Sequence, residues 1–210
     1  SSIRSVYENT HREYNEALEQ CDALQRGAAE RIFTPKKDSL VLVNTLSHAW
    51  RGAVRLPCEW PGAAGVLSQT ERAGPVALVE IPALSSLMLR RDDSSSPTVP
   101  SEELVLENAR VRYVFNRDGT LATAHDKEAD REALREPGNV LNLYADRPHD
   151  WDAWDIDKYY EQELVQKADV VSIECVESGP VRATIALEGR VGTSTIRQQI
   201  RLAADSKRLD

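Results

Sequence analysis

Val181 to Val191 reads VRATIALEGRV, and Ser194 to Leu202 reads STIRQQIRL. In the first run Val181, Ala183, Ile185 and Leu187 point one way, and Arg182, Thr184 and Glu188 the other. That is the period-two pattern of a β-strand. In the second run Ile196, Ile200 and Leu202 share a face with Gln198. If that face is buried, the Gln198 amide needs hydrogen-bond partners there. Such an amide is more often a satisfied core group than a ligand contact.

Working outward, short apolar runs bounded by turn residues recur from Leu40 onward. LVLVNTLS, PVALVEIP, SSLMLR, ELVLEN, ARVRYVF, NVLNLY and DVVSIECV all have the composition of strands. Arg117-Asp118-Gly119-Thr120 lies between ARVRYVFN and LATAHD, and Asp-Gly between alternating runs signals a hairpin. Glu177-Ser178-Gly179-Pro180 marks a second turn. Arg90 to Glu103, RRDDSSSPTVPSEE, is polar and rich in Ser and Pro, and reads as a flexible surface loop. Runs of strands without interleaved helices predict a mainly β chain built as an antiparallel β-sandwich. The closing SKRLD reads as the beginning of another strand. That would leave a sheet edge open and make the chain a piece of a longer one.

Before Thr34 the pattern is different. Ile3, Tyr7, Thr10, Tyr14, Ala17, Cys21, Leu24 and Ala28 recur at spacings of three and four. This predicts one long N-terminal helix over residues 1 to about 31. Ser1 or Ser2 is placed to cap it. Glu8 with Arg12, and Asp22 with Arg26, are acid-then-base pairs four apart. Such a helix cannot bury its stripe alone and needs other helices or a sheet. The break at Thr34-Pro35-Lys36-Lys37-Asp38 divides residues 1–33 from a β region over 34–210.

Composition narrows the function. The 210 residues are 41% apolar with net charge −8, and the pI is near 5.1. No stripe concentrates Lys or Arg, so neither nucleic acid nor an anionic membrane is an expected partner. No apolar run approaches a membrane span. Cys21, Cys58 and Cys175 are odd in number and lack CxxC spacing. Reduced buried thiols are therefore expected, and with them a cytoplasmic location. His11, His48, His125 and His149 are scattered without HxH or HExxH spacing, so no zinc site built from this chain alone is expected. No Gly-rich phosphate loop, nucleophile elbow or Ser/His/Asp arrangement is present.

One stretch departs from this ordinary composition. Arg147 to Tyr160, RPHDWDAWDIDKYY, holds two Trp, two Tyr, four Asp and a His in a chain that is 6% aromatic. Trp151, Asp152, Trp154 and Asp155 combine flat apolar faces, suited to the C–H face of a sugar ring, with carboxylates that accept hydrogen bonds from hydroxyls. On an extended backbone Trp151 and Asp155 share one face, and Asp152 and Trp154 the other. Only some of them can then address one ligand. The competing reading is a structural corner, with Trp as core and the Asp side chains serving local turns. A glycosidase pair needs carboxyls about 5–10 Å apart across the scissile bond, which Asp-x-x-Asp spacing does not establish. The Asp-x-Asp-x-Asp-Gly pattern of a calcium loop is missing.

Asn139 to Glu163, NVLNLYADRPHDWDAWDIDKYYEQE, resembles a characteristic stretch of the family 38 glycoside hydrolases, the α-mannosidases of the bacterial and cytosolic type. VLVNTLSHAWRGAVRLP (Val41 to Pro57) is similar to that family's entry into its β region. LVLENARVRYVFNRDGTLATAHDKEADREAL (Leu104 to Leu134) is similar to its strand–turn–strand, with Asp130 in place of the usual Gly after Ala129. SGPVRATIALE, STIRQQIRL and the opening Ser1-Ser2-Ile3 also match, so the resemblance covers essentially the whole chain. It implies a parent enzyme that hydrolyses terminal α-mannosides with retention. Zinc would contact the mannose hydroxyls, and two carboxyls would act as nucleophile and acid/base, the nucleophile and most metal ligands lying in an N-terminal catalytic domain. It further implies that 1–33 is the last helix of a middle helical bundle. Residues 34–210 would then be a β region of the galactose mutarotase-like supersandwich type, truncated at its C-terminal end.

On this resemblance no catalytic residue, no metal ligand and no hydrolysis are expected of this chain alone. The partners implied are α-mannoside glycans, through the parent, and the parent's own catalytic domain. An open sheet edge leaves room for a homo-oligomer. Trp151, Asp152, Trp154 and Asp155 are expected to touch substrate or the domain interface. The alternative is a stand-alone carbohydrate-binding β-sandwich module.

Overall fold

The structure, a computed structural model, describes residues 2–34, 36–150, 154, 156 and 158–210. In chain order, α1 (Ser2–Ile32) is followed by β1 (Ser39–Asn44), β2 (Trp50–Arg55), β3 (Gly62–Ala63), β4 (Ser68–Glu71), β5 (Gly74–Ile81) and β6 (Ser85–Asp92). Next come β7 (Ser96–Pro97), β8 (Val99–Ser101), β9 (Val105–Glu107), β10 (Val111–Phe115), β11 (Leu121–Asp126), β12 (Arg131–Glu132) and β13 (Asn142–Tyr144). A single 3-10 turn (Tyr160–Gln162) precedes β14 (Leu164–Lys167), β15 (Asp169–Ser178), β16 (Arg182–Val191) and β17 (Ser194–Ala203). The chain is mainly β with one long N-terminal helix, a β-sandwich as the alternation predicts. It divides into two compact units, residues 1–49 with 81–90, and residues 50–80 with 91–210.

In the first unit, Ile3, Val6, Tyr7, Tyr14, Leu18, Leu24 and Ile32 of α1 are all exposed. The ion pairs on this helix are Arg4–Glu8 (2.9 Å) and Arg12–Glu16 (3.9 Å). They run base-then-acid, in place of the expected Glu8–Arg12 and Asp22–Arg26 pairs. β1 pairs antiparallel with residues 85–90 of β6. The corner after β1 is closed by the buried Asn44 amide. Its Nδ2 donates to the carbonyls of His48, Ile81 and Pro82 at 2.9–3.0 Å, and its Oδ1 accepts from the Leu46 amide.

The second unit holds the main core. Sheet β12-β11-β10-β9 faces sheet β17-β16-β15-β8. Leu106, Val111 and Phe115 of the first pack against Cys175, Ile185 and Leu202 of the second. β16 is fully paired with β17 over ten residues. Alternation predicts one covered face for β16, but both are covered. Thr184, on the polar side, is only 1% exposed, because that side meets the third sheet, β2-β5-β4-β7. The Asp-Gly hairpin forms where expected. Gly119 has φ +82, and Asp118 Oδ1 accepts from the Thr120 amide and hydroxyl. A Cβ at Gly119 would stand 2.5 Å from Leu187 Cδ1, so the hairpin tip packs on β16.

Gln198 finds the partner its half-buried face demands. It exchanges two amide hydrogen bonds of 3.1 Å with Asn139, whose Nδ2 also donates to the Gly119 carbonyl. Asp130 has φ +46, a left-handed conformation that glycine adopts freely and Asp tolerates better than most residues. That accounts for Asp standing where the family pattern has Gly.

Two expectations are corrected. RRDDSSSPTVPSEE is not simply a loop, since Ser96–Pro97 pairs parallel with β4 and Val99–Ser101 pairs with β15. Pro is tolerated in such short edge strands. Of the three free thiols only Cys175 is buried, while Cys21 and Cys58 are exposed. SKRLD, read as the beginning of another strand, does begin to pair with the edge of β17. Leu209 bridges Leu202, and Arg201 and Asp210 exchange backbone hydrogen bonds of 2.9 and 3.0 Å.

Candidate functional site

β13 and β14 form a two-stranded antiparallel ribbon, Asn142↔Lys167 to Tyr144↔Leu164. The aromatic and acidic stretch is the loop that this ribbon carries. The amide of Ala145 donates to the Glu163 carbonyl at 2.9 Å and closes the loop's base. Above it the Tyr144 and Tyr160 rings meet edge to face, centroids 5.4 Å apart. Asn142 Nδ2 donates to the Tyr144 hydroxyl at 2.8 Å. The charge of Glu161, then burial and a hydrogen bond to the same carboxylate, push the Tyr160 phenol above its ordinary value. Lys158 Nζ sits 4.9 Å from the Tyr159 ring centroid.

Of the four residues expected to contact substrate or a domain interface, Trp154 is 89% exposed in a turn. Trp151, Asp152 and Asp155 lie outside the described residues. Ile156, Tyr159, Leu164 and Val165 are also exposed around the loop. An apolar surface of this kind is characteristic of contact with a partner or ligand. A cavity of about 470 Å³ lies at the ribbon's foot, between the 116–120 hairpin, residues 136–141 and the end of β14. Its Asp118 and Asn139 side chains already bond Thr120 and Gln198.

A second polar assembly escaped the sequence reading. The fully buried Gln69 on β4 accepts from the Val181 and Arg182 amides at 2.7 and 3.0 Å, and donates to Glu71 and the Arg182 carbonyl. Arg182 grips Glu71 with two hydrogen bonds of 2.6 Å. Burial pushes the Glu71 carboxyl up, but the hydrogen bonds and charge of Arg182, aided by Gln69 and Arg55, outweigh it and hold the pKa below the ordinary value. Glu177 accepts from the Arg72 amide at 2.8 Å. All of these partners are satisfied by one another, so the cluster fastens the third sheet to the β15–β16 corner. The available signal was the polar side of β16, which needs charged partners once it is covered.

Among the described residues no three His, Cys, Asp or Glu side chains gather as a zinc site requires. His125 reaches only Asp130, at 3.4 Å. The described residues therefore bring no zinc ligand set together. Among the described residues, no helix is long and apolar enough to cross a membrane.

Residues 106–210 match the model of the glycosyl hydrolases family 38 C-terminal domain. This span holds most of both sheets of the main core, without β8 and the first residue of β9, and the ribbon with its loop; it is half of the chain, and the chain belongs to that family. Two curated relatives are similar over 174 aligned residues at 26% identity, alpha-mannosidase 2C1 of Homo sapiens and alpha-mannosidase 2C1 of Mus musculus. The match covers 76% of this chain and 16% of each relative, so the chain spans about a sixth of their length.

Proposed function

We propose that this chain is the non-catalytic C-terminal portion of a zinc-dependent retaining α-mannosidase acting on terminal α-mannosides. It supports the catalytic domain and shapes the edge of the cleft. The observation that carries the reading is the exposed Trp154 on a loop braced by the β13–β14 ribbon. Membership of family 38 supports the enzyme class. In this reading residues 1–33 close a helical bundle, and 34–210 form the β region. The partners are α-mannoside glycans and the parent's catalytic domain. A cytoplasmic location goes with three free thiols. Zinc, when bound on ligands outside this chain, would orient the mannose hydroxyls and favour an oxocarbenium-like ring.

This chain's own contribution is an aromatic face. Trp154→Ala in the full-length enzyme lowers kcat/KM on an aryl α-mannoside by about 2–10-fold, the worth of one ring contact. Its melting temperature stays within about 1 °C, because exposed substitutions away from packing cost little. Unchanged kinetics would remove the loop from the cleft. The 210-residue chain with added zinc releases no aryl group, and turnover by it would defeat the proposal.

The exposure of Trp154 also favours a second reading, a stand-alone carbohydrate-binding module. Calorimetric titration of the isolated chain with mannose separates the two. A scaffold gives no saturable heat, and a binding module does.

A further inference from the structure

The stripe on α1 is stricter than an amphipathic helix needs. From Ile3 to Ala28 it advances by four and then three residues in unbroken alternation. That is a repeat of about 3.5 residues, the a and d positions of a heptad, which suits a second helix wound against the first. The charges keep the same frame. Every Glu and Asp from Glu8 to Glu30 except Glu13 takes an outward b, c or f position, as do Arg12 and Arg26. Yet among the described residues nothing covers the stripe. Ile3, Tyr7, Tyr14 and Leu24 are 63–74% exposed, and Ala17, Cys21 and Ala28 are exposed as well. A helix in a protein owes most of its stability to the packing of such a face. Gly27 lies beside it, and a Cβ there would meet nothing within 4 Å. Glycine weakens a helix interior, and among the described residues no close contact requires one here.

The order of sizes along the stripe selects the helix that fits it. Ile3, Tyr7 and Tyr14 are large and lie in the first half, while Ala17, Cys21 and Ala28 are small and lie in the second. A second copy of α1 running antiparallel, with a opposite d, sets Ile3 against Ala28, Tyr7 against Leu24, Thr10 against Cys21 and Tyr14 against Ala17. Large meets small at both ends and at the centre, and no tyrosine faces another, so the layers interdigitate. The flanking e and g positions agree. They bring Arg4 to Gln25, His11 to Leu18, Glu13 to Gln20, and Val6 to the open side of Gly27, so no like charges oppose each other. Parallel pairing fits worse. It stacks Tyr7 on Tyr7 and Tyr14 on Tyr14 while leaving Ala28 against Ala28, which wedges the helices apart at one end and leaves a gap at the other.

We propose that α1 is a dimerisation helix that pairs antiparallel with α1 of a second copy of this chain. The proposal rests on the helical bundle read for residues 1–33 and names the copy's helix as a member of it. It uses none of the sugar chemistry, so its failure would leave the reading as an α-mannosidase portion untouched. The test is sedimentation of the 210-residue chain at about 100 µM, a concentration that populates any dimer of tighter affinity. A dimer is expected. Tyr14→Glu buries a carboxylate against Ala17 of the copy and weakens the dimer at least about tenfold. The single chain tolerates this change, because Tyr14 is exposed and Glu is the better helix former. Asn15→Glu adds the same charge on the outer face and leaves the dimer unchanged. Mild oxidation reads the direction, in a Cys58→Ser background that removes the other exposed thiol. Thr10→Cys then cross-links the dimer between position 10 and Cys21, while the chain that keeps Thr10 stays unlinked. A monomer, or an assembly larger than a dimer, overturns the proposal. So does a dimer that survives Tyr14→Glu or is weakened equally by Asn15→Glu, since the contact would then lie elsewhere. Cys21 linked to Cys21 in the chain that keeps Thr10, or no link in Thr10→Cys, overturns the antiparallel register.

Discussion

Arg182→Met tests how the third sheet is fastened. The side chains of Arg182 and Glu71 are 17% and 2% exposed, and they share two hydrogen bonds of 2.6 Å. Each such charge-assisted bond contributes roughly 1.5–3 kcal/mol, so the pair is worth about 3–6. Removing one partner of a buried ion pair costs about 3–5 kcal/mol, because the other charge is stranded. The two estimates agree. For a chain of this size the loss lowers the melting temperature by roughly 6–20 °C.

The effect also has a pH signature. In the native chain the Glu71 pKa lies below its ordinary 4.5. Its stabilisation is therefore present above the unfolded pKa and lost as pH falls through the folded one. Without Arg182, burial dominates and raises the Glu71 pKa above the unfolded value. The folded variant then takes up a proton, and its deficit shrinks as pH falls from 7 toward 4. The assay is thermal unfolding of both proteins, followed by circular dichroism, at several pH values across that window. A deficit below about 1 kcal/mol, or one that does not narrow on acidification, would refute the stranded-carboxylate account. Changing both residues, Glu71→Met with Arg182→Met, should restore most of the loss, because two apolar side chains of similar length leave no buried charge.

Gly119→Ala forces a Cβ to 2.5 Å from Leu187 Cδ1 and 2.9 Å from Val170 Cγ2 in a residue with φ +82. A loss of about 1–3 kcal/mol in chemical denaturation is expected. Gln198→Leu removes both amide bonds to Asn139 and should cost about 1–3 kcal/mol. Double-mutant analysis with Asn139→Ala should show coupling, and additive losses would mean the pair does not act as one unit.

The sequence made the late strands plain. VRATIALEGRV and STIRQQIRL alternate, and the structure pairs Arg182–Val191 with Ser194–Ala203 over ten residues without a break. Gln198 was legible as an amide in need of partners, and Asn139 supplies them. The strands that were missed are short or polar. Ser96–Pro97 and Arg131–Glu132 have two residues apiece, too few to show any period. Ser68–Glu71 carries no apolar side chain, yet Gln69 and Glu71 are buried. Their burial is tolerable only because Arg182 and its neighbours, more than a hundred positions away, meet them. No local pattern can show that match. The aromatic stretch stood out by composition alone. The ribbon that carries it did not, because pairing Asn142 with Lys167 depends on a loop whose two ends look unrelated.

The Gln69 side chain waits for a backbone amide 112 residues further along, at Val181. A ribosome adding about 5–20 residues per second needs roughly 6–22 s to cover that distance. Throughout that interval the early strands are synthesised and the groups that will cover them are not. The third sheet is therefore expected to mature late, and nascent chains should be most vulnerable to proteases and self-association in this window. A chain interrupted anywhere before Val181 would leave the Gln69 carbonyl oxygen without the donors that the finished protein provides.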